Sequence, residues 1–325
     1  MKKFFLIFCT LIFSAAVFAK DAVFSGEDYC ISLSYNETAF PGDAVFVRLN
    51  FLPGTKKSKS SRTDFSNFQA RMEFLIDGKM VRQSDFYQIS KSSKNSRTLL
   101  AGVPLSSWWT QDSKCAIKIV YAEKDSAQKE FSLPFALNQK EFVSETLELN
   151  QGNTEIKTNT SVKRMDQIKK LNEILSTVNS ADVYQTKSFT PPTPATRRTS
   201  FFADRRIYKY TNGKSSTSLH YGIDYGIQEG SNVASCGDGK VVMAENRIST
   251  GWSVVVEHLP GLYSLYYHMK ELKVKEGDMV KAGQTVGLSG QTGLATGPHL
   301  HWEVRLNSEA VSPDFFTGDF TFSEE

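Results

Sequence analysis

Histidine is scarce in this chain and missing from its first two-thirds. Only five of 325 residues are histidine, and none precedes His220. Imidazole chemistry is therefore confined to the C-terminal third. Cysteine is also sparse, at four residues, which excludes a dense disulfide framework. The formal net charge is only +3, so the concentrated basic face of a nucleic-acid binder is lacking and no nucleic-acid partner is expected. No apolar run beyond residue 18 approaches the roughly 20 residues that a membrane-spanning helix needs. What remains is an ordinary globular composition, 40% hydrophobic and 22% charged. A mildly basic surface suits an anionic polymer as partner.

The N-terminus has the order of a signal peptide: Lys2 and Lys3, an apolar stretch over residues 4–18, then Val17-Phe18-Ala19 with small residues at the −3 and −1 positions. Cleavage is expected after Ala19, giving an exported mature protein that is periplasmic, envelope-associated or secreted, with no stable membrane insertion. Cys9 leaves with this segment, and Cys30, Cys115 and Cys236 remain. A disulfide between Cys30 and Cys115 and a pair of small buried thiols are both open readings. Cys236 reads as a buried free thiol.

The pattern beyond residue 19 is mainly β. Residues 20–140 contain short alternating runs, such as Cys115-Ala116-Ile117-Lys118-Ile119-Val120-Tyr121, separated by turn signals such as Asp77-Gly78. They predict an immunoglobulin-like β-sandwich, with residues 56–62 as a Ser/Lys-rich loop. Residues 141–199 read as a linker. In it Val162, Met165, Ile168, Leu171, Leu175 and Val178 recur at helical spacing, which predicts one packed helix over residues 161–179. A Pro-rich hinge follows at Thr190-Pro191-Pro192-Thr193-Pro194. Residues 200–325 are rich in strands and glycine and predict a compact antiparallel β domain with little helix.

All five histidines fall in this last domain. His220 and Asp224 are four apart, and Gly222 and Gly226 argue against a helix there. On an extended strand, even spacing keeps both side chains on one side. His299 and His301 are two apart, so both imidazoles face one pocket while Leu300 faces the core. A further histidine, His268, follows Tyr267. Neutral imidazole and carboxylate are good zinc ligands. Three protein ligands with one open position are the usual arrangement of a catalytic zinc, although iron, manganese or nickel can use the same donors.

These residues carry a resemblance. His220-x-x-x-Asp224, Tyr267-His268-Met269, Gly297-Pro298-His299-Leu300-His301-Trp302-Glu303 and the 280–293 segment resemble the lysostaphin/LytM-type zinc metalloendopeptidases of bacterial cell walls. The resemblance covers about a third of the chain. It implies a small β fold, peptidoglycan as substrate, His220, Asp224 and His301 as Zn2+ ligands, and His268 and His299 as unligated catalytic histidines. His299, two residues from a ligand, is the expected base. Phe202-x-x-Arg205-Arg206 resembles a segment of multi-domain members in which Gly stands where this chain has Ala203. His258 is expected to be structural, Cys236 a packing substitution, and Glu303 either a partner of the ligands or a solvated carboxylate. The competing reading is a non-enzymatic relative that binds cell wall or activates another hydrolase. Such relatives typically lose ligands, and this chain keeps the full set.

Overall fold

The structure, a computed structural model, describes residues 22–25, 29–53, 68–89, 97–122, 127–318 and 320–322. The expected signal segment and the 56–62 loop lie outside the described residues. Among the described residues no helix is long and apolar enough to cross a membrane. The chain divides into two units, Met1–Gln139 and Lys140–Glu325.

The first unit holds two antiparallel sheets. One has the strand order Ala22–Ser25, Tyr29–Tyr35, Ala44–Pro53, Arg97–Pro104, Tyr87–Gln88; the other has Lys129–Pro134, Cys115–Ala122, Gln69–Ile76, Lys79–Asp85. Alternate residues of both sheets meet in one core: Val47, Leu49 and Phe51 from the first, and Phe74, Ile117 and Ile119 from the second. That is the period-two burial of a sandwich. Asp77 and Gly78 have φ of 49° and 76° and close the hairpin between Ile76 and Lys79, as a tight two-residue turn requires. Cys30 lies opposite Leu52 on the first sheet and Cys115 opposite Ile76 on the second. Among the described residues no disulfide joins them.

The second unit is built on an eight-stranded antiparallel sheet. Its order is Arg198–Ser200, Gly222–Tyr225, Leu300–Leu306, Leu262–Met269, Gly251–Leu259, Gly239–Arg247, Met279–Val280, with Glu309–Val311 beside Leu300–Leu306. Every residue of Leu262–Met269 is buried, so both sheet faces are covered. One cover is the helix Val162–Ser176, whose Leu171, Ile174 and Leu175 pack on Met243, Val255, Leu265 and Tyr267.

The predicted helix is therefore present, but its apolar stripe is only half used. Val162, Met165 and Val178 are exposed. The N-terminal half of the helix docks through polar groups instead. Arg164 donates to Ser249 Oγ, the Ile248 amide donates to Gln167 Oε1, and Lys170 pairs with Glu245 at 2.9 Å. Polar partners at the end of the Gly239–Arg247 strand and in the turn after it, unreadable from periodicity, decide the helix rotation there. The 141–199 stretch also holds a second helix, Gln151–Thr158, capped by the Asn150 side chain, and a strand, Ser144–Glu148, parallel to Arg205–Lys209. Both border the site described next.

Candidate metal centre and active cavity

Antiparallel pairing of Gly222–Tyr225 with Leu300–Leu306 sets Asp224 directly opposite His301. His220 lies just before the first of these strands. Its backbone is held by its N–H to Asp204 O and by its carbonyl, which accepts from the Ala203 amide. Ala203 has φ of 63°, the left-handed region in which glycine is at ease. This explains the glycine of the multi-domain pattern: the turn that delivers His220 needs that conformation, and here alanine bears the strain.

The three side chains converge on one point. His220 Nε2 is 3.0 Å from Asp224 Oδ1 and 2.9 Å from His301 Nδ1, and His301 Nδ1 is 2.9 Å from Asp224 Oδ1. All three residues are buried, at 3%, 7% and 7% exposure. The outer nitrogens are committed elsewhere. His220 Nδ1 lies 2.8 Å from the Phe201 carbonyl, an acceptor only, so this nitrogen carries the hydrogen and Nε2 presents a lone pair. His301 Nε2 faces Glu303 Oε2 at 3.3 Å. Glu303 is in turn held by Arg305, and the Tyr267 ring stacks on His301 with centroids 5.3 Å apart.

Electrostatics ask for a cation at the centre. Burial alone would raise the Asp224 carboxyl, but the His220 and His301 imidazoles against it, wherever one of them carries a proton, hold it well below the usual range. Burial lowers the His220 imidazole. In His301 burial is outweighed by Asp224 and Glu303, which raise the ring to about 9. A proton there would satisfy one contact, whereas a divalent cation would satisfy two imidazole lone pairs and a carboxylate together. The donor spacings of 2.9–3.0 Å are close to the roughly 3.3 Å edge of a tetrahedron of ~2.0 Å bonds. The residues present therefore fit a zinc-type ion.

Two more imidazoles stand beside this cluster. His299 Nε2 is 3.9 Å from Asp224 Oδ1, and the His268 and His299 ring centroids are 4.6 Å apart. In each, Nδ1 meets a carbonyl, Thr292 O at 2.7 Å for His268 and Gly297 O at 2.8 Å for His299. In the neutral tautomer these contacts select, each ring carries hydrogen on Nδ1 and leaves Nε2 bare. Burial, reinforced by His299 and His301, pushes His268 down to about 3, so it stays neutral. Its backbone has φ of 61°, a left-handed conformation that costs about 1–3 kcal/mol in a non-glycine residue. The hydrogen bonds that the His268 amide donates to Thr250 O and its ring donates to Thr292 O hold it there.

A cavity of about 420 Å³ opens on these groups, lined by Asp224, His268, His299 and His301 and, across from them, by Glu145, Asn153, Arg206 and Tyr208. Arg206 joins the two sides. It donates to Asp224 Oδ2 at 3.1 Å and to Glu145 Oε1 at 2.6 Å, so one Asp224 oxygen is held by arginine while the other faces the histidines. Asn153 donates to the Ala295 carbonyl at 3.1 Å and ties the Gln151–Thr158 helix to the loop before His299. Sequence reasoning did not single out Glu145, Asn153 or Arg206 as site residues. The only signal was the paired arginine of Phe202-x-x-Arg205-Arg206.

The other expected residues fall as follows. His258 is fully buried, with Nδ1 on Asp238 O and Nε2 on Ser264 Oγ, both at 2.7 Å, away from the metal cluster. Cys236 is buried beside it, its thiol pushed up to about 12 by burial. Glu303 is not solvated but bound to His301.

Comparison with known proteins agrees with this arrangement. The model of peptidase family M23 matches residues 218–313. The peptidoglycan DD-endopeptidase ShyA of Vibrio cholerae is 38% identical over 116 residues, which are 36% of this chain and 26% of that protein. The DD-carboxypeptidase/endopeptidase Mpg of Neisseria meningitidis is 38% identical over 95 residues, 29% of this chain and 22% of that protein. The matched stretch thus spans about a quarter of the length of these curated relatives. A crystal structure from Pseudomonas aeruginosa described as a peptidase M23 covers 87% of this chain and 96% of its own, with TM-score 0.54 and 19% identity, a likeness of fold. The chain therefore carries a peptidase family M23 domain at residues 218–313.

Proposed function

We propose that this protein is a zinc-dependent endopeptidase acting on peptide stems or cross-links of peptidoglycan in the cell envelope. One observation carries the reading: two bare imidazole nitrogens and a carboxylate oxygen meet within 3.0 Å, beside two further bare imidazole nitrogens on an open cavity. His220, Asp224 and His301 would hold the ion. When bound, zinc lowers the pKa of water to about 7 and polarises a carbonyl. The substrate assignment draws on relatives named as peptidoglycan endopeptidases.

The protein's own groups then divide the proton work. His299, the nearer to Asp224, takes a proton on Nε2 from the attacking water and passes it to the leaving amine. His268 is held neutral and fixed by Thr292, and its Nε2 accepts a second hydrogen bond beside the reacting carbonyl. Neither ring can donate through Nε2 until it has gained a proton, so the donor to a developing oxyanion is whichever histidine is charged at that moment.

The test combines metal analysis with hydrolysis of purified peptidoglycan. Wild type is expected to hold about one zinc per chain and to release peptide fragments. His301→Ala is expected to lose both, and His299→Ala to keep the metal and lose hydrolysis. A correctly folded wild type without metal, or full activity in His299→Ala, would overturn the assignment. Mass spectrometry of the fragments names the bond.

A further inference from the structure

The second unit contains seven arginines, and six of them are occupied by the protein. Arg198 is bidentate on Asp314, Arg206 bridges Glu145 and Asp224, and Arg305 serves Glu303. Arg164, Arg205 and Arg247 donate to hydroxyl or carbonyl oxygens. Arg197 is the exception. Among the described residues its guanidinium meets no carboxylate, yet it lines the cavity that holds Asp224, His268, His299 and His301.

Its placement is defined by the sheet. The Gly226 amide donates to the Arg197 carbonyl at 3.0 Å, one step along from the Arg198–Tyr225 pair, which is followed by Ser200–Asp224. The guanidinium lies over Gly226. A β-carbon built there would sit 3.1 Å from Arg197 Nη1 and 3.4 Å from Cζ. Gly226 is two residues beyond Asp224, about 6–7 Å along an extended strand. The charge is thus roughly two peptide residues from the metal cluster. The two carboxylates of the cavity are already engaged, Glu145 by Arg206 and Asp224 by Arg206 and the histidines. Leu147, Leu149, Leu294 and Pro298 share the lining, and apolar walls strengthen a local charge. Arg197 is exposed at the cavity rim, so water solvates this cation until a ligand entering the cavity displaces it.

We propose that Arg197 is a specificity-determining residue that binds a carboxylate of the peptide substrate, carried within about two residues of the bond to be cut. The inference rests on reading this site as a peptidase site. The planar guanidinium offers paired N–H donors that match a carboxylate, a geometry lysine cannot reproduce.

The test uses the full-length, zinc-loaded protein and a synthetic cross-linked stem peptide in three forms: free carboxylates, C-terminal amide and side-chain amide. Wild type is expected to lose about 10- to 100-fold in kcat/KM, through KM, on one of the amides, the form that removes the recognised group; this arm distinguishes a terminal from a side-chain carboxylate. Arg197→Gln is expected to lower cleavage of the free form to that level and to stop distinguishing the two, with an unchanged melting temperature. Arg197→Lys recovers part of the preference. Gly226→Ala, which pushes the guanidinium aside, shifts the preference in the same direction as Arg197→Gln. Binding of the same three peptides to His299→Ala protein, followed by calorimetry, reads recognition without turnover. No hydrolysis of any form would count against the peptidase reading alone. Equal affinity of His299→Ala protein for all three, or an equal loss on all three in Arg197→Gln, would overturn the role of Arg197.

Discussion

Glu257 offers a stability test whose sign follows from the structure. It sits in the Gly251–Leu259 strand at 5% exposure and accepts a hydrogen bond from Tyr263 at 3.2 Å. Burial, then the charge of Asp182, raises its carboxyl from 4.5 to about 7. The folded state therefore keeps a proton that the unfolded chain has released anywhere between pH 4.5 and 7. Its contribution is fully present below about 4.5, declines as pH rises, and is gone above about 7. At about 1.4 kcal/mol per unit, the whole window amounts to about 3 kcal/mol. Glu257→Gln keeps the size and the acceptor for Tyr263 but cannot ionise. Wild type and Glu257→Gln should thus be equally stable near pH 4.5, and the variant should be about 3 kcal/mol more stable near pH 8. The comparison must be between the two proteins, because His258 acts with the opposite sign. Burial lowers its imidazole to about 4, so its contribution is present above 6.5 and lost as pH falls through 4. That term cancels in the difference. The assay is urea unfolding of both proteins at half-unit pH steps, with stabilities from midpoint and slope. A difference that stays constant from pH 4.5 to 8 would refute the reasoning.

Three further outcomes are expected. Arg206→Gln removes the guanidinium that bonds Asp224 and Glu145 and should destabilise by about 3 kcal/mol, as breaking a buried pair does; thermal unfolding at neutral pH within error of wild type would contradict this. Gly222→Ala places a β-carbon 2.2 Å from the Trp302 carbonyl and 2.9 Å from His301 Nε2, so it should cost at least about 3 kcal/mol and weaken zinc binding in a chelator competition, and wild-type values for both would count against the packing described. His268→Asn should keep the fold, because asparagine tolerates the left-handed backbone found there, while losing peptidoglycan hydrolysis; His268→Val should fail to match its stability, and equal melting temperatures would show that the backbone strain is not real.

Much of the molecule was legible in residue order because it rests on local rules. Alternation with period two announced the strands of both units, Asp77-Gly78 announced its turn, and the spacing of His220 to Asp224 and of His299 to His301 announced a shared pocket. Steric limits on the backbone and the geometry of a pleated strand act over a few residues, so a few residues reveal them. Pairings across long stretches of chain escape that logic. Glu145 meets Arg206 across 61 positions and Asn153 meets Ala295 across 142. Likewise, the face that Val162–Ser176 turns to the sheet was settled by the end of the Gly239–Arg247 strand and the turn after it, and the bare nitrogen of each histidine by the carbonyl or carboxylate that its other nitrogen found. Residue types and their spacing decided that imidazoles and a carboxylate would gather. Only the folded chain decided which atoms face inward and which charge, on Arg197, meets no carboxylate among the described residues, because hydrogen bonds and Coulomb forces act through space and take no account of sequence distance.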